Sequence, residues 1–131
     1  MVLLDTTVLI DILRGDRQVY EFIKTIEEQH SPRYTSVISM QELVKGAYLS
    51  SKVERELNKI EVLLESLFIL PYDRTSARLA GKIEAELEQK GSPIQIQDVQ
   101  IAAIAISNSL RVVTRNAQHF SRIKGLHIQT Y

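Results

Sequence analysis

The chain has 131 residues, 44% of them hydrophobic, which suits one domain over residues 1–131 with a sizeable core and excludes a disordered composition. Its 16 Lys+Arg balance 16 Asp+Glu, so net charge does not mark a nucleic-acid binder. With no cysteine there is no disulfide framework or thiolate metal site. The longest apolar run, Ile101 to Ile106, falls far short of the roughly 20 residues of a membrane span, and no basic-then-apolar leader opens the chain. A reducing cytoplasm, with no membrane as partner, is the expectation.

Val2-Leu3-Leu4 is an unbroken apolar run, the pattern of a strand buried on both faces of a parallel sheet, and it runs straight into Asp5. Val8, Leu9, Ile10 and Leu13 then recur at helical spacing until Gly15, a helix-ending residue. Asp16 caps a second helix whose apolar face is Val19, Phe22, Ile23 and Ile26, and Ser31-Pro32 breaks it. Tyr34 to Val37 has the β-branched and aromatic content of a second strand. Ser39-Met40-Gln41-Glu42 opens a helix through Leu43, Val44, Ala47 and Tyr48, interrupted at Ser50-Ser51. A strongly amphipathic helix with Val53, Leu57, Ile60, Leu64 and Leu67 on one side follows.

Phe68-Ile69-Leu70 is a third buried-strand candidate, closed by Pro71. Asp73 caps a helix through Ala77, Ala80, Ile83 and Leu87 that ends at Lys90-Gly91. The next helix, from about Ile96 to Ser109, is apolar almost all round and so is buried on more than one side. Leu110 to Thr114 is a fourth strand and Leu126-His127-Ile128 a weaker fifth. Strands alternating with helices predict an α/β fold, a mostly parallel central sheet between helical layers.

Three carboxylates fall where strands give way to helices, the edge at which open α/β sheets bind ligands. Asp5 follows the first strand, where it can also cap the helix that follows. Glu42 fits a capping box with Ser39 equally well as a ligand role. Asp98 can complement the helix dipole, yet it shares a face with Ile101, Ala102 and Ala105, and a carboxylate entering a packed layer needs a partner or a metal. Three acids at one edge repel, so either their pKa values rise or a hard divalent cation neutralises them; oxygen ligands without cysteine select Mg²⁺ or Mn²⁺. Such centres suit phosphodiester hydrolysis. From Arg111 to Tyr131 the cations Arg111, Arg115, Arg122 and Lys124 occur without an acid, a segment suited to phosphate and equally to an ordinary solvated surface.

Four stretches together resemble the PIN-domain nucleases, and among them the VapC-like toxins of toxin–antitoxin pairs: Leu3 to Ile10, Thr35 to Gly46, Ile96 to Ala105 and Val112 to Phe120. The resemblance spans essentially the whole chain. It implies a three-layer α/β/α sandwich with a mostly parallel sheet and a Mg²⁺- or Mn²⁺-dependent endoribonuclease. Carried over, Asp5, Glu42 and Asp98 are the metal ligands and Thr7 a hydroxyl that orients the centre. It also implies an RNA substrate, a homodimer and a cognate antitoxin whose C-terminal segment covers the site, with the helices of residues 39–67 among the contacts. The departure lies in the last motif, where the family usually carries a fourth acid at the position of Asn116 or His119. Here Asn116 offers an amide to water and His119 an imidazole, and neither supplies negative charge.

The expected chemistry is hydrolysis that leaves a 5′-phosphate and a 3′-hydroxyl. Arg115 would steer the RNA backbone, with Thr114 and Asn116 holding water or phosphate and His119 beside the substrate. The missing fourth acid motivates an alternative, a PIN-like module that binds RNA or a partner without turnover. A phosphotransfer domain fits less well: a phosphatase of the haloacid-dehalogenase type would want an acid where Thr7 stands, and the third strand of this chain leads into Pro71.

Overall fold

The computed structural model describes residues 1–131. Five short strands form, β1 (Val2–Leu4), β2 (Arg33–Ser36), β3 (Phe68–Leu70), β4 (Arg111–Val113) and β5 (Ile128–Gln129), and they join in one sheet of order β3-β2-β1-β4-β5. All four pairings are parallel, with Leu3 opposite Tyr34 on one side and Val112 on the other. Seven helices cover the sheet: α1 (Thr6–Leu13), α2 (Arg17–Glu28), α3 (Val37–Tyr48), α4 (Val53–Glu65), α5 (Arg74–Gln89), α6 (Ile96–Ser107) and α7 (Ala117–Phe120).

Alternation along the central strands sorts side chains into two cores, as the two-residue strand period requires. Leu3 and Val112 face one layer with Ala80, Ile83 and Leu87 of α5, Val99 and the run Ile101 to Ala105 of α6, and Phe120 of α7. Val2, Leu4 and Val113 face the other, with Val8 and Leu9 of α1, Val19 and Ile26 of α2, Leu43 and Ala47 of α3, and Ile60 and Leu64 of α4. Each large apolar side chain removed from water contributes about 1.5–3 kcal/mol. The two cores thereby fix the three-layer α/β/α sandwich, and the all-round apolar helix is α6, whose buried residues all lie in the first core.

The chain departs from sequence expectation at several ends. The second strand stops at Ser36 rather than Val37, because Ser36 is the N-cap of α3 and its Oγ accepts the Ser39 N–H at 3.1 Å. Ser39 is therefore already inside the helix, no Ser39–Glu42 capping box forms, and Glu42 lies in the second turn. Ser36→Ala is expected to cost about 1 kcal/mol, the usual worth of such a cap, whereas a Ser39 cap would leave it nearly neutral; urea unfolding measures which.

The strand at Phe68 is an edge rather than a buried one, with Phe68 63% exposed. Helix α6 stops at Ser107, since Asn108 turns its amide onto the Ile104 carbonyl at 2.7 Å and Ser109 takes a positive φ of 56°. The fifth strand is Ile128–Gln129 instead of Leu126 to Ile128, and the one-turn helix α7 carried too short a pattern to be expected. Gly15 does end the first helical segment, at a φ of +72° that other residues avoid.

Candidate active site

The chain winds outward from β1 to β2 and β3, then crosses back to place β4 on the other side of β1. Between β1 and β4 the winding reverses, and the carboxyl ends of strands at such a switch point are where this architecture binds ligands. Asp5 emerges from β1 there, still in strand register through its N–H to the Val113 carbonyl at 3.1 Å. Thr114, Arg115 and Asn116 emerge from β4 beside it.

The Asp5 side chain is 2% exposed and fully engaged. Its Oδ1 accepts the Val8 N–H at 3.2 Å, which makes Asp5 the N-cap of α1, and the Thr7 hydroxyl at 2.6 Å. Its Oδ2 accepts the Thr114 hydroxyl at 2.5 Å. Asp5 thus makes the cap that the sequence offered it, and the same carboxylate is held by two hydroxyls. Burial pushes the Asp5 pKa above the ordinary carboxylate value; the hydroxyls of Thr114 and Thr7 and the Val8 amide pull the other way, and the charge of Asp98 adds to the rise.

Asp98 sits in the first turn of α6, its side chain 14% exposed. Its pKa is also raised, chiefly by burial, against the pull of His119, whose Nδ1 lies 3.3 Å from Oδ2. Glu42 is half-buried on α3 and accepts the Thr6 hydroxyl on Oε1 at 2.8 Å; the same hydroxyl lies 2.9 Å from Ser39 Oγ. Asp5 and Asp98 thus share one electrostatic field, while Glu42 is held one residue along α1. No three His, Asp or Glu side chains stand together as a ready-made cage for an ion. Mutual repulsion disfavours bringing all three charges together, and a neutral hydroxyl offers the longer Glu42 side chain an alternative.

The donor chemistry nonetheless fits a hard divalent cation. Two carboxylates are largely withdrawn from water, neither is paired with a lysine or arginine, and every donor is oxygen.

The β4–α7 loop rearranges the roles expected of its residues. Thr114 is wholly buried, donating to Asp5 and accepting the Asn116 N–H at 2.8 Å, so its hydroxyl is engaged in holding the acid and the loop. Arg115 donates its backbone N–H to Thr7 Oγ at 3.1 Å and forms an ion pair with Asp11, Nε lying 2.7 Å from Oδ2, with its side chain 49% exposed. His119 orients Asp98 rather than standing free, and the half-buried Asn116 opens α7 without capping it by its side chain.

Three residues of this network had not been singled out in the sequence: Thr6, which ties down Glu42, and the pair Asp11 and Tyr131. Asp11 had a legible signal, an acid one helical turn beyond Thr7 on the same face. Beside Glu42 opens a cleft of about 620 Å³ lined by Gln41, Lys45, Tyr72, Gln97 and Gln100 among others.

A parallel sheet whose switch point gathers buried carboxylates braced by hydroxyls defines an α/β domain with an acidic, oxygen-donor centre. The PIN domain family matches residues 2–126, and the chain belongs to that family. Among curated relatives, it is 41% identical over 96 residues to the tRNA(fMet)-specific endonuclease VapC of Salmonella typhimurium, 73% of each chain. It is 33% identical over 129 residues to the ribonuclease VapC2 of Haemophilus influenzae, covering 98% of this chain and 96% of that one. Among solved structures, the VapBC2 complex of Rickettsia felis bound to a promoter DNA fragment contains a chain of the same fold. Its TM-score is 0.93 at 27% identity, with 100% of this chain and 99% of that one covered. DNA-bound VapBC of Salmonella typhimurium gives a TM-score of 0.90 at 34% identity, covering 99% and 98%.

Proposed function

We propose that the chain is a divalent-metal-dependent endoribonuclease and the toxin of a toxin–antitoxin pair. The observation that carries the reading is the Asp5 carboxylate, buried at the switch point, locked by Thr7, Thr114 and Val8, and within the electrostatic reach of a second, largely buried acid, Asp98. Asp5 and Asp98 would hold Mg²⁺ or Mn²⁺, with Glu42, now bonded to Thr6, as the candidate third donor. When bound, the cation neutralises their charge, polarises the scissile phosphate and lowers the pKa of the attacking water.

The chain's own residues supply the rest. Thr7 and Thr114 fix the Asp5 rotamer, and because Thr7 Oγ also accepts the Arg115 N–H, the acid and the β4–α7 loop are set in one frame. His119 orients Asp98. Asn116, at the start of α7, presents an amide to the substrate phosphate or its water, and Arg115 offers charge to the RNA backbone. The names of the relatives support an RNA substrate and make initiator tRNA the first to try; the VapBC complexes among the structural neighbours support an antitoxin partner. A homodimer belongs to the same reading, supported by the exposed Tyr48 and Leu49 at the end of α3. No helix is long and apolar enough to cross a membrane.

The test is cleavage of a 5′-labelled tRNA(fMet) transcript and of total RNA, followed on gels in Mg²⁺, Mn²⁺ and EDTA. Cleavage in either cation, its loss in EDTA and a marked slowing in Glu42→Gln are the expected results. Cleavage indifferent to EDTA would remove the metal mechanism. RNA binding without turnover even in Mn²⁺ would favour the binding-module alternative, which the uncharged Asn116 and His119 motivate.

A further inference from the structure

We propose that Asp11 and Tyr131 are positioning residues that hold the Arg115 guanidinium for a phosphate flanking the cleaved one. The inference rests on the ribonuclease reading and assigns roles to two residues outside the acidic centre.

Asp11 lies on α1 and is 7% exposed, and a carboxylate that far from water needs partners. It has two, both at Oδ2: the Arg115 guanidinium, paired with it through Nε at 2.7 Å, and the Tyr131 hydroxyl, which donates to it. The Tyr131 ring is itself held, tilted 31° against Phe22 of α2 with centroids 5.6 Å apart. Burial and the Asp11 charge raise the tyrosine pKa, so the phenol stays a donor. A residue of α1, one of the β4–α7 loop and one just after β5 thereby meet on one oxygen.

Geometry says what this serves. Asp11 follows Thr7 by about one helical turn on the same face of α1, about 6 Å further from the switch point. The Arg115 backbone bonds Thr7 while its side chain bonds Asp11, so the guanidinium is led along α1 and away from Asp5. That displacement takes it off the reacting phosphate and sets it where the next stretch of backbone passes. Asp11 meets the guanidinium at Nε. The four N–H bonds of the two terminal nitrogens remain for a ligand, on a side chain that is 49% exposed. A guanidinium already fixed loses less rotamer freedom on binding, which is the gain from positioning. An arginine serving only to neutralise Asp11 would do so best through two nitrogens in a closed, bidentate pair.

The experiment is a kinetic double-mutant cycle on the same labelled RNA, with Tm recorded for each variant. Tyr131→Phe keeps the ring against Phe22 and removes only the hydroxyl. Arg115→Gln is expected to raise KM about tenfold, the worth of one charge-assisted contact. Tyr131→Phe and Asp11→Asn should raise KM several-fold in the wild-type background, with the loss in KM and not in kcat, and should change nothing further in Arg115→Gln. A residue that merely braces the loop would lower Tm and impose the same kinetic loss in both backgrounds. That result, a fall in kcat alone, or no change in KM in the single variants would overturn the inference while leaving the nuclease reading intact. A wild type that neither binds nor cleaves RNA would overturn both.

Discussion

Asp5→Asn is expected to lose RNA cleavage by on the order of a hundredfold to a thousandfold while melting at a higher temperature than the wild type in EDTA. The first half follows if Asp5 anchors the cation: several kcal/mol of transition-state charge stabilisation go with it, at about tenfold per 1.36 kcal/mol. The second half follows from where the carboxylate sits. Its pKa is raised by burial and by Asp98, so the folded chain binds the proton more tightly than the unfolded one. The stability this lends is fully present below the ordinary value of 3.8 and is lost as pH rises through the folded pKa. At neutral pH the ionised acid is therefore a net cost.

Asparagine removes that cost yet keeps most of the contacts. Its oxygen still accepts from Val8 and Thr7, and its amide can donate to the Thr114 hydroxyl in place of accepting from it. Each kcal/mol relieved moves the midpoint of a domain this size by roughly 3–4 °C. Calorimetry from pH 4 to 8 in EDTA should show stability falling with pH in the wild type and falling less in Asp5→Asn. Added Mg²⁺ should stabilise only the wild type, by about 2.7 kcal/mol at a hundred times its Kd. Equal melting temperatures and equal pH slopes would mean that Asp5 carries no burial penalty.

Thr114→Val is expected to destabilise the fold by about 2–4 kcal/mol in EDTA, although the two side chains have nearly the same shape. The hydroxyl donates to Asp5 and accepts from Asn116, at a position with no exposure to solvent. Valine leaves a buried carboxylate oxygen and an amide without partners, and stranding a buried charge is the expensive form of that loss. Thr114→Ser should recover most of it. The loss should shrink in the Asp5→Asn background, because a neutral side chain is easier to strand, so a urea-unfolding cycle separates this coupling from simple repacking. An equal cost in both backgrounds would assign Thr114 to the core alone.

Thr114 also shows where sequence reading stops. A threonine after a strand, followed by Arg115 and Asn116, is equally suited to touching substrate or to holding an acid. Only the pairing of β1 with β4 decides, by bringing residues 5 and 114 within hydrogen-bond distance. Arg115 was legible as a cation at the strand end, but its pairing with Asp11 beside Tyr131 was not, since that grouping joins residues 120 positions apart. The Ser39–Glu42 capping box had a sound local pattern and lost to Ser36, which sits where the strand ends.

What the sequence by itself determined is the kind of fold and the candidate acids. Short apolar runs alternating with helical periodicity define a parallel α/β sheet, because hydrogen bonding and burial leave such runs few other arrangements. Asp5, Glu42 and Asp98 stood out together, because three acids at one sheet edge repel unless a cation neutralises them. The tertiary structure decided the rest. It chose which hydroxyl holds which acid, set Asp5 within the electrostatic reach of Asp98 while Thr6 keeps Glu42 aside, and turned His119 and Arg115 onto carboxylates of their own. Those choices depend on hydrogen-bond contacts between residues far apart in the chain, and local pattern carries no information about them until the sheet order brings the strand ends together.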